Sequence, residues 1–257
     1  MEIEMTNKDL RSAKQQLENI DTVTTNRKEL QQLAQLHILG IAGSMRQDSY
    51  STHVLKMVLE KSKKYKTDTQ ILELRQVNLP IYDPSASNES NTSNNIERVS
   101  NALKWADSII LSSPDYHGSM SGAMKNFLDY FWEEFAGKTF GYIVASHEKG
   151  LTVVDQMRTA IRQCYGWSMP YNISINGEKD FNSKREIVNS ALINRIKILA
   201  RDLSVYGKLI RNQFLIDVTN KEISETYAAH YRDYYNEKTY VQFLSQIMKE
   251  VPSCDNC

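Results

Sequence analysis

From Leu36 onward the chain alternates short apolar runs with amphipathic stretches of helical period. The run HILGIAG, residues 37–43, ends in glycine, and the segment after it places Val54, Leu55, Val58 and Leu59 on one helical face. The alternation continues through a second strand near Gln70 to Leu74, a helix from Ile96 to Trp105 and a third strand in SIILSSP. In SGAMKNFLDYFWEEF, Met124, Phe127, Leu128, Phe131, Trp132 and Phe135 share one stripe, which predicts a helix reaching Phe135. A fourth strand in TFGYIVAS, a helix from Thr152 to Cys164, a fifth strand from Tyr171 to Ile175 and a long helix beginning near Lys184 complete the pattern. Strands separated by helices pair in parallel, so the pattern predicts an α/β protein with a doubly wound five-stranded parallel sheet.

Both ends depart from this texture. Residues 1–35 are polar, with Leu10, Ala13, Leu17 and Ile20 at helical spacing after a possible cap at Thr6 or Asn7. Residues 207–257 carry Tyr227, Tyr231, Tyr234 and Tyr235, then Tyr240, Leu244, Ile247 and Met248, a pattern expected to pack on the body or on a partner subunit. We therefore expect a helical extension over 1–35, a sheet domain over 36–206 and a second helical extension over 207–257. The Ser- and Asn-rich stretch from Gln76 to Asn95 is expected to be a loop.

Charge narrows the choice of partners. Lys plus Arg number 31 and Asp plus Glu number 31, so no overall field favours nucleic acid or an anionic membrane. The cluster Lys61, Lys63, Lys64 falls late in an amphipathic helix, where cations complement the helix dipole. No stretch approaches the roughly 20 apolar residues of a membrane span. With three cysteines and no apolar leader, a reducing cytoplasm is expected.

Two loops carry the candidate chemistry. The first reads Gly43, Ser44, Met45, Arg46, Gln47, Asp48, Ser49, Tyr50, Ser51 and runs into a helix. Hydroxyls, a guanidinium and free amides at a helix start suit a phosphate monoester, although the same serines also read as simple helix caps. The segment lacks the Gly-Lys-Ser/Thr ending of a triphosphate loop and the glycine spacing of a dinucleotide loop. The second loop, after the third strand, reads Ser113, Pro114, Asp115, Tyr116, His117, Gly118, Ser119, Met120, Ser121, Gly122. In a sheet of order 2-1-3-4-5 the first and third strands are neighbours, so the two loops flank one crevice.

GSMRQDSYS followed by SPDYHGSMSGAMKNFLDY resembles the NADPH-dependent FMN reductase family, which includes flavin, quinone, azo and chromate reductases. The resemblance covers roughly Leu36 to Tyr206. It implies a flavodoxin-like fold, bound FMN, NADPH or NADH as hydride donor, and a small-molecule acceptor such as a quinone, azo compound, flavin or metal oxyanion. It implies that Ser44, Arg46, Ser49 and Ser51 hold the FMN phosphate, and that Pro114, Asp115, Tyr116, His117, Gly118 and Ser119 line the ribityl chain and ring edge. A third loop, Ser146, His147, Glu148, Lys149, Gly150, would meet the pyrimidine side, with Ser146 the contact. Here the chain departs from the glycine-richer pattern of the family; Ser51 stands where many members have Asn, and Ser121 where many have Pro.

No catalytic acid or base is assigned, because the cofactor carries the chemistry. The resemblance also implies a homodimer or homotetramer, with Tyr130, Phe131, Trp132 and Phe135 as candidate contacts. The segment Leu79, Pro80, Ile81, Tyr82, Asp83 is a candidate cover for the flavin or for a neighbouring subunit's site. Cys254 and Cys257 form a CxxC, but one pair supplies two of the four ligands of structural zinc, so a silent terminus is expected. Cys164 reads as a packed small hydrophobe. The competing function is a flavin-binding electron carrier or sensor that docks a protein partner.

Overall fold

The computed structural model describes residues 35–85 and 94–235. Their centre is an open sheet of β1 (Leu36–Ala42), β2 (Thr67–Glu73), β3 (Ser108–Pro114), β4 (Thr139–Ala145), β5 (Trp167–Ser168) and β6 (Ile173–Ile175). The order is β2-β1-β3-β4-β5, with β6 also pairing to β4, and every pairing is parallel. The expected order therefore holds, but the described sheet has six strands rather than five. The predicted fifth strand, Tyr171 to Ile175, forms as Ile173–Ile175 and pairs with the end of β4, while Trp167–Ser168, upstream of the predicted strand, pairs with its start.

Helices cover both faces: α1 (Tyr50–Ser62), a short α2 (Leu74–Val77), α3 (Asn94–Trp105), α4 (Gly122–Tyr130), α5 (Leu151–Gln163), a short α6 (Gly177–Asp180) and α7 (Ser190–Thr219). Alternate residues of each strand enter opposite cores. Leu39, Ile41, Ile109 and Leu111 pack with Val99, Leu103, Phe127, Val153 and Met157, whereas Ile38 and Ile110 pack with Val54, Leu55, Val58, Leu199 and Leu203. Every residue of β3 is buried, as a central strand covered on both faces requires.

Three elements depart from the periodicity. The helix predicted to reach Phe135 stops at Tyr130, because Phe131 is extended at φ −128° and ψ 139°, and a 3₁₀ turn covers Glu133–Phe135. Phe131 and Phe135 are nevertheless buried, so the apolar stripe reported burial across a helix end. The helix predicted from Lys184 begins at Ser190, where the Asn189 side chain accepts from the Ala191 N–H. Before it, Phe181 and Ile187 pair in a tight hairpin. Helix α7 then passes without a break through residue 206.

After α7, Tyr227, Tyr231 and Tyr235 surround Phe214, with ring centroids at 5.7, 6.3 and 5.4 Å. Phe214 lies against Gly137, whose φ is +69° and where an added Cβ would meet the ring at 2.1 Å. At the amino ends of the strands sits a charged group. Arg211 of α7 approaches the Asp107 carboxylate at 3.5 Å, and the His37 backbone N–H donates to Asp107 at 2.9 Å. Fully buried Lys138 donates from Nζ to the Leu103 carbonyl. Burial pulls the Lys138 pKa well down, and the neighbouring Arg211 charge adds to that.

The expected N-terminal helical arm, Tyr240, Leu244, Ile247, Met248 and the Cys254–Cys257 pair lie outside the described residues. Cys164 closes α5 half-buried, and burial raises its thiol pKa. Among the described residues no helix is long and apolar enough to cross a membrane.

Candidate functional site

The first loop leaves β1 at Gly43 and is pinned from two sides. The Gly43 N–H donates to the Ser112 carbonyl at 2.7 Å, and the Ser121 hydroxyl donates to the Gly43 carbonyl at 2.6 Å. A side chain at Gly43 would meet Met124 Cε at 2.9 Å and the Ser112 oxygen at 3.1 Å, so glycine permits the close approach of the two loops. Ser121 also caps α4, accepting from the Met124 N–H, and its own N–H donates to Ser113 Oγ.

Helix α1 begins beneath this loop with its end unspent. Ser49 occupies the N-cap position in extended geometry, but its hydroxyl makes no capping bond and the first turn holds no acidic residue. Instead Ser49 Oγ pairs with Ser51 Oγ at 2.8 Å. The amides of the first turn are thus left for another acceptor. Arg46 is exposed beside them, and among the described residues its guanidinium takes no hydrogen bond or ion pair. The Arg46 backbone N–H donates to Ser44 Oγ, which tightens the loop.

The second loop turns sharply. Tyr116 and Ser119 exchange backbone hydrogen bonds of 2.9 and 3.1 Å around His117 and Gly118, whose φ values are +56° and +76°. Two consecutive residues at positive φ are the signature of a mirror-image two-residue turn. Asp115 braces it: one carboxylate oxygen accepts from the Gly118 N–H and the other from the Ser146 hydroxyl, each at 2.8 Å. Gln156 of α5 holds the far side, accepting from the Ser119 hydroxyl at 3.0 Å.

A third wall follows β6. Asn176 caps α6 by accepting from the Glu178 and Lys179 amides, and it donates to the His147 carbonyl at 2.7 Å. Gly177 lies on the ring of Tyr50, where a Cβ would stand 2.5 Å from the ring edge.

These walls enclose a cavity of about 410 Å³ lined by Ser44, Arg46, Asp48, Ser49 and Tyr50 at one end. Pro114, Asp115, Tyr116, Ala145, Ser146, His147, Gly177 and Glu178 complete the lining. Seven of the sequence-predicted residues therefore converge on one space: Ser44, Arg46, Ser49, Pro114, Asp115, Tyr116 and Ser146. Ser51 lies behind Ser49 and supports it, while His117, Gly118 and Ser119 form the turn beyond Tyr116 rather than the wall. Asp48, Tyr50, Gly177 and Glu178 were not singled out in the sequence. The Asn176-Gly177 pair after an apolar run was the available signal for the last two.

The segment from Leu79 to Asp83 does not line this cavity. It is fastened to α4, where Asn126 donates to the Pro80 carbonyl and accepts from the Tyr82 N–H, and the Tyr82 and Tyr130 rings lie 5.1 Å apart. Beside the cavity, burial lowers the pKa of His53, and the positive charges of Arg185 and Lys56 lower it further.

The sequence profile of the NADPH-dependent FMN reductase family matches residues 36–180, more than half of the chain. The chain belongs to this family. As a member it is an oxidoreductase working with FMN and NAD(P)H, and its sheet order is that of the flavodoxin-like fold. Its relatives include the FMN-dependent NADPH-azoreductase of Staphylococcus saprophyticus, 29% identical over 56% of this chain and 78% of that protein. The NADPH azoreductase of a Bacillus species is 29% identical over 42% of this chain and 61% of that protein. Among solved structures, the flavoenzyme NAD(P)H:(acceptor) oxidoreductase FerB from Paracoccus denitrificans superposes with a TM-score of 0.57 at 17% identity, covering 68% of this chain and 98% of its own. An NADH:FMN oxidoreductase in its apo form gives 0.56 at 16% identity, covering 66% and 89%. The family match ends at residue 180, so the hairpin at Phe181–Ile187 and helix α7 lie beyond it.

Proposed function

We propose that the cavity binds FMN and that the protein passes reducing equivalents from NAD(P)H to a flat, conjugated acceptor of the azo or quinone class. The observation that carries this reading is the convergence of two pinned loops. Buried Ser44 and Ser49, exposed Arg46 and the uncapped start of α1 make an anion-seeking end. Asp115 and Ser146 join the loops after β3 and β4. Donors without partners at the first end fit a phosphate dianion, and the apolar faces of Pro114, Tyr116 and Ala145 fit a planar ring system.

In this reading Ser44, Arg46 and Ser49 hold the phosphate, with Ser51 fixing the Ser49 hydroxyl. Pro114, Asp115, Tyr116 and Ser146 orient the ring, and His117, Gly118 and Ser119 keep the turn rigid behind them. FMN, when bound, supplies the two-electron chemistry. The side chains position and shield: Tyr116, 46% exposed, stands where an acceptor would stack. The relatives named as azoreductases support the acceptor class. A homo-oligomer is part of the proposal, with Trp132, 55% exposed, as the contact in place of the buried Phe131 and Phe135.

An absorbance spectrum of the purified protein, taken before and after anaerobic NADPH, tests the reading. A flavin spectrum that bleaches within seconds and returns on adding an azo dye or quinone is the expected result. Colourless protein that fails to titrate with FMN overturns it.

A further inference from the structure

Beyond the family-matched segment, one cation reaches back to the first loop. Arg185 sits in the hairpin between Phe181 and Ile187, which is stiffened by Asn182: its side chain accepts from the Lys184 and Glu186 amides and donates to the Glu186 carboxylate. Phe181 in turn lies against the Tyr50 ring, centroids 4.6 Å apart. The hairpin holds Arg185 in the left-handed region at φ +62°, a conformation that disfavours a side chain and persists where the surroundings enforce it. From there the guanidinium lies over Tyr50, 4.6 Å from the ring centre, and donates to the Asp48 carbonyl at 2.7 Å. Asp48 and Tyr50 both line the cavity.

The Asp48 carbonyl and the Ser49 N–H belong to one trans peptide unit, so the two point in opposite directions. Holding that carbonyl toward the hairpin therefore turns the Ser49 N–H away from it, at the residue that precedes α1. We infer that Arg185 is a positioning residue for phosphate recognition: by fixing the 48–49 peptide plane and stacking on Tyr50, it presents the start of α1 to the phosphate of the cofactor. The inference rests on the FMN reading. It assigns to a hairpin outside the family-matched stretch a part in telling a phosphorylated flavin from an unphosphorylated one.

The test is flavin binding by the full-length protein stripped of cofactor, comparing FMN with riboflavin in the wild type, Arg185→Asn and Arg185→Lys. Asparagine tolerates positive φ, so the first variant removes the guanidinium with little added backbone strain. FMN affinity should fall on the order of tenfold in Arg185→Asn, riboflavin affinity should stay constant, and Arg185→Lys should recover part of the loss because one charged donor remains. Equal weakening of both flavins would make Arg185 a general support of the fold and overturn the inference. Unchanged preference for FMN in both variants would overturn it while leaving the FMN reading intact. A wild type that does not distinguish FMN from riboflavin would remove the phosphate site itself, and the inference with it.

Discussion

The Ser146 hydroxyl donates to the Asp115 carboxylate across 2.8 Å, joining the loop after β4 to the loop after β3 in the lining of the cavity. The second Asp115 oxygen is taken by the Gly118 amide. One carboxylate thereby sets both the width of the cleft and the shape of the Tyr116–Ser119 turn.

Replacing Ser146 with Ala leaves Asp115 with a single local donor. Loss of one such bond costs about 0.5–1.5 kcal/mol, and the expected outcome is a several-fold faster release of FMN. Stopped-flow fluorescence of flavin release reads this directly. An unchanged rate would mean that the link does not shape the site.

Arg46 stands at the opposite end with no competing partner among the described residues. Its replacement by Ala should weaken FMN binding by about 1.5–3 kcal/mol, the scale of a hydrogen bond to a charged group. The loss should shrink with rising salt as the ionic part is screened. Titration calorimetry at two ionic strengths checks both statements.

Gly43 has no room for a side chain between Met124 and the Ser112 carbonyl. Gly43→Ala should destabilise the protein by about 1–3 kcal/mol through overpacking, and it should weaken FMN binding because the first two loops separate. Urea unfolding with and without FMN distinguishes the two effects.

Lys138 gives a pH prediction of definite sign. Its folded pKa lies well below the ordinary lysine value of 10.5, chiefly through burial, so the unfolded chain holds more protons. Stability must rise with pH between the depressed value and 10.5, by at most about 1.4 kcal/mol per unit for one proton. Lys138→Met keeps the apolar stem and removes the proton. Its stability relative to wild type should therefore shrink as the pH rises toward 10.5, as denaturant midpoints at several pH values would show.

The sequence made some of this legible because its strongest signals lie in strand-end loops. Ser44, Arg46, Ser49, Pro114, Asp115, Tyr116 and Ser146 occupy short motifs directly after apolar runs, and parallel topology brings such loops to one edge. Tyr50 and Gly177 escaped notice because their roles appear only when two distant segments touch, a ring from α1 against a backbone after β6. The stripe from Met124 to Phe135 misled at Tyr130 because periodicity reports which residues are buried. Phe131 and Phe135 reach the same core through extended chain and a 3₁₀ turn. Nothing in composition marks Arg185, whose effect depends on a strained turn.

The ion pair between Asp107 and Arg211 links the residue just before β3 to a helix that continues well past residue 180. Arg211 is 4% exposed, and Phe214 with Tyr235 closes over the same region. A fragment trimmed to 36–180 would keep every residue that lines the cavity, yet strip the cover from two ionisable groups, Asp107 and Lys138. The stretch that the family profile matches and the stretch that packs together thus end at different places along this polypeptide.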